Sequence, residues 1–117
     1  MISYPTRAFI VMIAATAAGP QTKAQSQFDG AWSVTIVTRS GTCDQIYRIS
    51  GLVSNGVIIY PGVSGRVAPS GAVSGTLSMG PIHASGSGRL SGNTGSGTWR
   101  GQGPNGPCSG SWNGQRN

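Results

Sequence analysis

Side chains that could carry acid–base or nucleophilic chemistry are scarce in this sequence. After residue 24 it contains one histidine, His83, two aspartates, Asp29 and Asp44, and neither glutamate nor lysine. General acid–base catalysis requires histidine, paired carboxylates or a lysine of adjusted pKa. A Ser-His-Asp set could be drawn from these residues, but no Gly-x-Ser-x-Gly element accompanies it. We therefore predict that the protein is not an enzyme.

The sequence also lacks the side chains that a metal or cofactor site would need. A zinc or other transition-metal site needs three or four nitrogen, sulfur or oxygen ligands at workable spacing. One histidine and two cysteines, Cys43 and Cys108, do not supply such a set if the thiols are oxidised to a disulfide. We predict no metal and no cofactor.

Large aromatic side chains are the better candidates for a binding site. They could line the mouth or interior of a small ligand-binding barrel, although plain core packing is the alternative interpretation. The possible ligand-binding residues are Trp32, Tyr47, Tyr60, Trp99 and Trp112.

Residues 1–24 have the layout of a secretory signal peptide. Arg7 precedes an apolar run of eleven residues from Ala8 to Ala18, and Gly19 and Pro20 follow it. This run is shorter than the about 20 residues that a membrane-spanning helix needs. We predict cleavage after Ala24, with Ala18 as the alternative site, and a single mature domain of residues 25–117. An amphipathic or membrane-anchored N-terminal helix is the other interpretation.

Cysteine usage and charge agree with export. Cys43 and Cys108 form an even pair, which in an oxidising compartment indicates one disulfide. Loss of Arg7 and Lys23 with the signal peptide would lower the net charge from +6 to +4. The six remaining arginines are scattered, which favours a solubilising role over a nucleic-acid site. We expect a periplasmic or secreted protein with no membrane span in the mature chain.

Alternation of apolar and polar residues predicts β-strands throughout residues 31–114. In the stretch AWSVTIV, Trp32, Val34 and Ile36 share one face, and Tyr47 and Ile49 alternate in the same way in DQIYRIS. Asn55-Gly56 between apolar residues predicts a two-residue hairpin, because both turn positions require positive φ. Eight short strands joined by tight turns form the predicted antiparallel meander.

A repeated tetrad, Ser-Gly-x-Φ with Φ a large apolar residue, supports this strand count. Because side chains alternate along a strand, glycine and Φ share a face. Inward glycines would provide curvature and room opposite the tryptophans. The Φ residues predicted to point inward are Val67, Leu77, Leu90, Trp99 and Trp112.

These observations predict an all-β fold, a small up-and-down barrel of about eight strands. A flattened sandwich is the alternative. Cys43 at the first turn and Cys108 at the start of the last strand would tie the beginning of the sheet to its end, and this favours closure. By the same alternation, His83 lies on the outer face.

The stretches FDGAWSVTIVTRSGTCD, SGRVAPSGAVSGTL, GSGRLSGNTGSGTW and CSGSW resemble a group of small exported, functionally uncharacterised alphaproteobacterial β proteins. The resemblance covers most of residues 28–112 and implies export and a β domain, with no particular activity. A weaker resemblance, carried by Gly30–Trp32 and one disulfide, links the chain to periplasmic barrel-type inhibitors of metalloproteases. Those inhibitors bridge early strands, whereas Cys43 and Cys108 would span the sheet.

The sequence is compatible with three functions. The leading hypothesis is a non-enzymatic, monomeric binding protein that takes an unknown small ligand or a protein partner, and no nucleic acid. The alternatives are a protease-inhibitor-like protein, which would use turns such as residues 101–107, and a structural or adhesion module built on the Ser-Gly-x-Φ array.

Overall fold

Residues 26–117, which the computed structural model describes, form a closed barrel of antiparallel strands. The predicted signal peptide, residues 1–24, lies outside the described residues. Every strand pairs with its neighbours in sequence, and β1 pairs with β8, so the predicted eight-stranded up-and-down barrel is confirmed. The elements are a 3-10 helix Ser26–Phe28 and the strands β1 Gly30–Ser40, β2 Ile46–Ser54, β3 Val57–Ile59, β4 Val63–Val67, β5 Ala72–Met79, β6 Ile82–Ser91, β7 Thr94–Gly103 and β8 Gly106–Arg116.

The turn between β2 and β3 has the predicted hairpin geometry. Asn55 and Gly56 have φ angles of 53° and 77°. Two consecutive positive φ angles match a type I′ turn, whose twist follows that of the flanking strands.

The predicted inward and outward positions of the repeated tetrad are confirmed. Val67 and Leu90 are buried at 4% and 6% exposure, and Leu77, Trp99 and Trp112 are half-buried. The x residues of the tetrads are exposed, with the exception of Ser111. Ser111 is half-buried, and its Oγ accepts a 3.2 Å hydrogen bond from Nε of Arg39.

Indole rings occupy space that glycines leave free on neighbouring strands. Trp112 lies opposite Gly97, which in turn lies opposite Gly88. The ring crosses both glycines, and its Nε1 donates a 3.2 Å hydrogen bond to the carbonyl of Ser87 on β6. A methyl group added at Gly88 or Gly97 would lie 2.6 Å from an indole atom. Glycine at both positions is therefore a steric requirement of Trp112.

Trp99 extends in the opposite direction around the barrel, towards β1. It lies opposite Gly86 on β6 and Gly110 on β8. Its Nε1 reaches past β8 and donates a 3.1 Å hydrogen bond to the carbonyl of Val37 on β1. The register of β1 against β8 shifts between Thr38 and Ser40, next to this contact. The indole thus links three adjacent strands across the closure of the barrel.

We expect Gly97→Ala to destabilise the fold by about 1–3 kcal/mol, because the methyl group would overlap the Trp112 ring and the Ser87 carbonyl. The exposed neighbour Ser96 provides the matched control, and Ser96→Ala should change the free energy of unfolding by less than about 0.5 kcal/mol. Urea denaturation of both variants measures the difference. Equal effects of the two substitutions would show that this packing is not required.

The disulfide joins the two ends of the sheet, as predicted. Cys43, between β1 and β2, is bonded to Cys108 of β8, with their Cα atoms 6.1 Å apart and a sequence separation of 65. Cys108 is buried at 4% exposure. The bond therefore lies beside the pairing of β1 with β8 that closes the barrel. It restrains this pairing, which joins the two strands farthest apart in the sequence.

Replacement of both cysteines, Cys43→Ser with Cys108→Ser, should lower the free energy of unfolding by about 4 kcal/mol in the chain-entropy estimate for a loop of this length. Chemical denaturation of the variant and of the oxidised protein tests this. The reduced wild-type protein is the control, because it loses the bond without changing the side chains. A loss below about 1 kcal/mol in both would contradict this function of the disulfide.

Candidate functional site

The two ends of the barrel differ in how they are filled. One end carries the 3-10 helix and the turns that follow β2, β4 and β6, and we call it the closed end. The buried core lies there and consists of Phe28, Trp32, Val53, Val67 and Leu90. At the opposite end, the open end, lie the turns that follow β1, β3, β5 and β7.

The 3-10 helix is attached to the closed end by packing and hydrogen bonds. Phe28 is buried at 6% exposure, and its carbonyl accepts a 2.9 Å hydrogen bond from Nε1 of Trp32. Nε2 of Gln27 donates a 2.6 Å hydrogen bond to the carbonyl of Pro69 in the β4–β5 turn. The side chain of Phe28 therefore closes the barrel interior at this end.

Arg116, one of the six arginines scattered along the sequence, completes this seal. Its guanidinium lies 5.3 Å from the centre of the Trp32 ring. It also makes five hydrogen bonds, to the carbonyls of Gln27, Asp29 and Gly92 and twice to Oδ1 of Asn93. A planar group with several donors can satisfy these converging acceptors, whereas an ammonium cannot.

We expect Arg116→Met to destabilise the protein by about 2 kcal/mol, because several carbonyl groups at the closed end would lose a charged donor. Arg100→Met, on the exposed outer face of β7, is the matched control and should have little effect. Thermal and urea denaturation compare the two variants. A larger loss for Arg100→Met would contradict the sealing role of Arg116.

A cavity occupies the open half of the interior. Its volume is about 350 Å³, and it extends to the open end, where Cys43, Tyr60, Met79 and Gln102 lie on or beside the four turns. Small-molecule sites typically have volumes of about 300–1,000 Å³, so this cavity has room for one small ligand. A second void of about 170 Å³ lies deeper, towards the closed end.

The predicted aromatic residues are divided between these two spaces. Tyr47 and Trp99 line the open cavity, whereas Trp32 lines only the deeper void. Tyr60 and Trp112 line both, between the two spaces. Trp32 therefore belongs to the sealed end, and the other four aromatic residues surround the space that a ligand could enter.

The open cavity is apolar and uncharged. Among the described residues that line it, none is arginine, lysine, aspartate or glutamate, and most are aliphatic or aromatic. His83 also borders the cavity, but its side chain is exposed. The hydroxyl of Tyr47 accepts a 3.2 Å hydrogen bond from the backbone N–H of Asp44 in the β1–β2 turn. The polar atom of this side chain is thus directed to the rim, and its ring contributes to the wall.

Sequence alternation missed several residues that shape the cavity. Leu77 was predicted only as core, and Ala84, Gly75 and Gly86 were not assigned to a site, yet all four line the wall. Small and aliphatic residues of this kind are equally common in filled cores. The local pattern contains no signal that distinguishes the two.

The outer face of β5–β8 is hydrophilic, and it carries a wide, shallow depression. Arg39, Arg100 and His83 lie along it among serine and threonine side chains, and no carboxylate is among the described residues that line it. His83 is exposed as predicted, and its Nδ1 lies 3.1 Å from Oγ of Ser78.

The outer face of β2 and β3 is different and was not anticipated from the alternation. Leu52 and Ile59 lie opposite each other on the two strands and are 50% and 51% exposed. Ile46 and Val57 on the same strands are 50% and 42% exposed. One part of the barrel exterior therefore presents apolar side chains to solvent.

The residues that could have formed a catalytic set lie on different parts of the barrel. Asp29 is at the closed end, where its carboxylate accepts hydrogen bonds of 3.0 and 3.1 Å from the Asn55 N–H. Asp44 is in the β1–β2 turn, and His83 lies near the start of β6. Within residues 26–117 no three His, Cys, Asp or Glu side chains form a group that could hold a metal ion.

Together these features define a small disulfide-linked β-barrel with one sealed end and an apolar cavity towards the other. In residues 26–117 there is also no helix with the length and hydrophobicity to cross a bilayer. Comparison with protein-family models, with curated proteins and with solved structures finds no match to the chain.

Proposed function

We propose that this protein is a non-enzymatic binding protein that holds one small apolar ligand in the open half of its barrel. The observation that carries the proposal is the uncharged cavity of about 350 Å³ that extends to the open end. Closed eight-stranded barrels either fill their interior with side chains or hold one small ligand, as in lipocalins and streptavidin. Here the buried side chains are concentrated at the closed end, and the larger cavity lies in the open half.

Burial of an apolar ligand in this cavity would be driven by the hydrophobic effect. Each Å² of apolar ligand surface removed from water contributes about 25 cal/mol. Charged groups would have no partner inside, so they would have to remain at the rim. The sealed end, closed by Phe28 and Arg116, leaves the open end as the route of entry.

Export to the periplasm or outside the cell is part of the proposal. The disulfide between Cys43 and Cys108 supports it, because such bonds persist in oxidising compartments and are rare in the cytosol. The protease-inhibitor-like and adhesion functions stay predictions, as does the monomeric state.

The proposal predicts that uncharged apolar compounds change the tryptophan fluorescence in a saturable manner, because Trp99 and Trp112 line the cavity. Ala84→Leu, which adds carbon atoms to the cavity wall, should weaken this binding about tenfold or more. Ala72→Leu is the matched control, since Ala72 is exposed on β5 and the same side-chain change there leaves the cavity intact. Melting curves of both variants verify that they fold.

A flat fluorescence response of the wild-type protein to all uncharged apolar compounds would contradict the proposed function. Equal weakening by Ala84→Leu and Ala72→Leu would place the binding site outside the cavity. Binding that persists in Ala84→Leu and is lost in Ala72→Leu would move the site to the outer face.

A further inference from the structure

We infer that the ligand of the open cavity is a flat, uncharged ring compound that lies against a bare glycine surface on β5 and β6. This inference rests on the proposed function and names the class of ligand. Gly75 and Gly86 lie opposite each other on these strands, and both line the cavity. We call the wall that they form the glycine strip.

Side-chain packing inside the barrel explains several other inward glycines but not these two, where an added methyl group would press only on the backbone of the adjacent strand. A methyl group at Gly88 or Gly97 would overlap the Trp112 ring, and one at Gly65 would lie 2.8 Å from Cδ1 of Ile58. At those three positions the space of the missing side chain is occupied by a side chain of the barrel itself.

Around Gly75 and Gly86 no side chain from the opposite wall enters the free space. The closest atoms to an added methyl group are backbone atoms of the adjacent strand, at 3.2 Å in both cases. The closest side-chain atom at Gly86 is Cβ of its own pairing partner Trp99, at 3.5 Å. Neither glycine is among those with positive φ, so backbone conformation does not require them. The strip is thus an uncovered surface.

The residues that pair with the glycine strip on the two adjacent strands form its borders. Gly65, covered by Ile58, precedes it on β4, and Trp99 follows it on β7. Neighbouring strands in a sheet lie about 5 Å apart, so two adjacent bare positions form a smooth patch as wide as a ring system. Such a patch makes dispersion contacts with the whole face of a flat molecule, whereas an alkyl chain touches it along one edge.

The wall of the cavity opposite the glycine strip carries branched and aromatic side chains. β1 and β2 are four strands away from β5 and β6 around the closed barrel, and so they face the strip. They contribute Ile36, Tyr47 and Ile49 to the cavity. A slot between a bare wall and a wall of branched and aromatic side chains fits a planar ligand. Because none of the described lining residues carries a permanent charge, the buried part of the ligand is uncharged.

Three probes of similar size test this inference on the wild-type protein. Aminoanthracene is flat and uncharged at neutral pH, dodecanol is an uncharged chain, and anthracene carboxylate is flat and anionic. We expect aminoanthracene to bind at least about tenfold more tightly than each of the other two, measured by its own fluorescence and by competition. This comparison does not depend on the folding of any variant.

Substitutions in the strip locate the bound ring. Gly75→Ala and Gly86→Ala each place a methyl group on the surface, and we expect either to weaken aminoanthracene binding about tenfold while dodecanol binding changes less. The exposed neighbours Ser74 and Ser87, which do not line the cavity, give the matched controls Ser74→Ala and Ser87→Ala, which should leave both affinities unchanged.

The failures of the two proposals are distinguishable. If dodecanol binds as tightly as aminoanthracene, the flat-ring inference is overturned and the proposed function stands. Equal binding of anthracene carboxylate would overturn the requirement for an uncharged ligand. If none of the three probes binds, the proposed function itself is overturned, and the inference with it.

Discussion

The interior of a closed eight-stranded barrel is narrow, and a tryptophan fits there only if the neighbouring strand has no side chain at the same height. Trp112 lies across Gly97 and Gly88, and Trp99 lies opposite Gly110 and reaches past it to β1. These contacts place each indole against backbone, where its N–H finds a carbonyl acceptor. The two tryptophans, accommodated by glycines, therefore link the last three strands to one another and to β1.

The interior of the barrel has a sealed half and an open half. At the closed end, Trp32, Phe28 and the guanidinium of Arg116 lie together and leave a void of only about 170 Å³. In the open half, glycines that are not covered by a ring leave room, and a cavity results. A glycine thus has opposite effects according to what lies above it. Beneath a tryptophan it permits dense packing, and without one it leaves a surface for another molecule.

Much of this arrangement was predictable because it rests on local patterns. The alternation of residues assigns Val67 and Leu90 to the interior and His83 to the exterior, and the structure agrees. The closure was predictable from the positions of Cys43 and Cys108. The exposure of Leu52 and Ile59, in contrast, was not predictable from the sequence. The strand β3 is only three residues long, and so short an alternation does not show which of its apolar side chains face outward.

Patterns in the sequence alone specify the strands, their inward faces, the hairpin at Asn55-Gly56 and the pairing of the two cysteines. These features depend on residues close together in the chain or on a count of two thiols. The packing of the folded barrel was needed to show that Arg116 lies over Trp32, that Trp32 belongs to the sealed end, and that Gly75 and Gly86 stay uncovered. Each of those outcomes depends on which residues of distant strands meet at one height inside the barrel. Strand register sets these heights, and alternation within a single strand does not specify it.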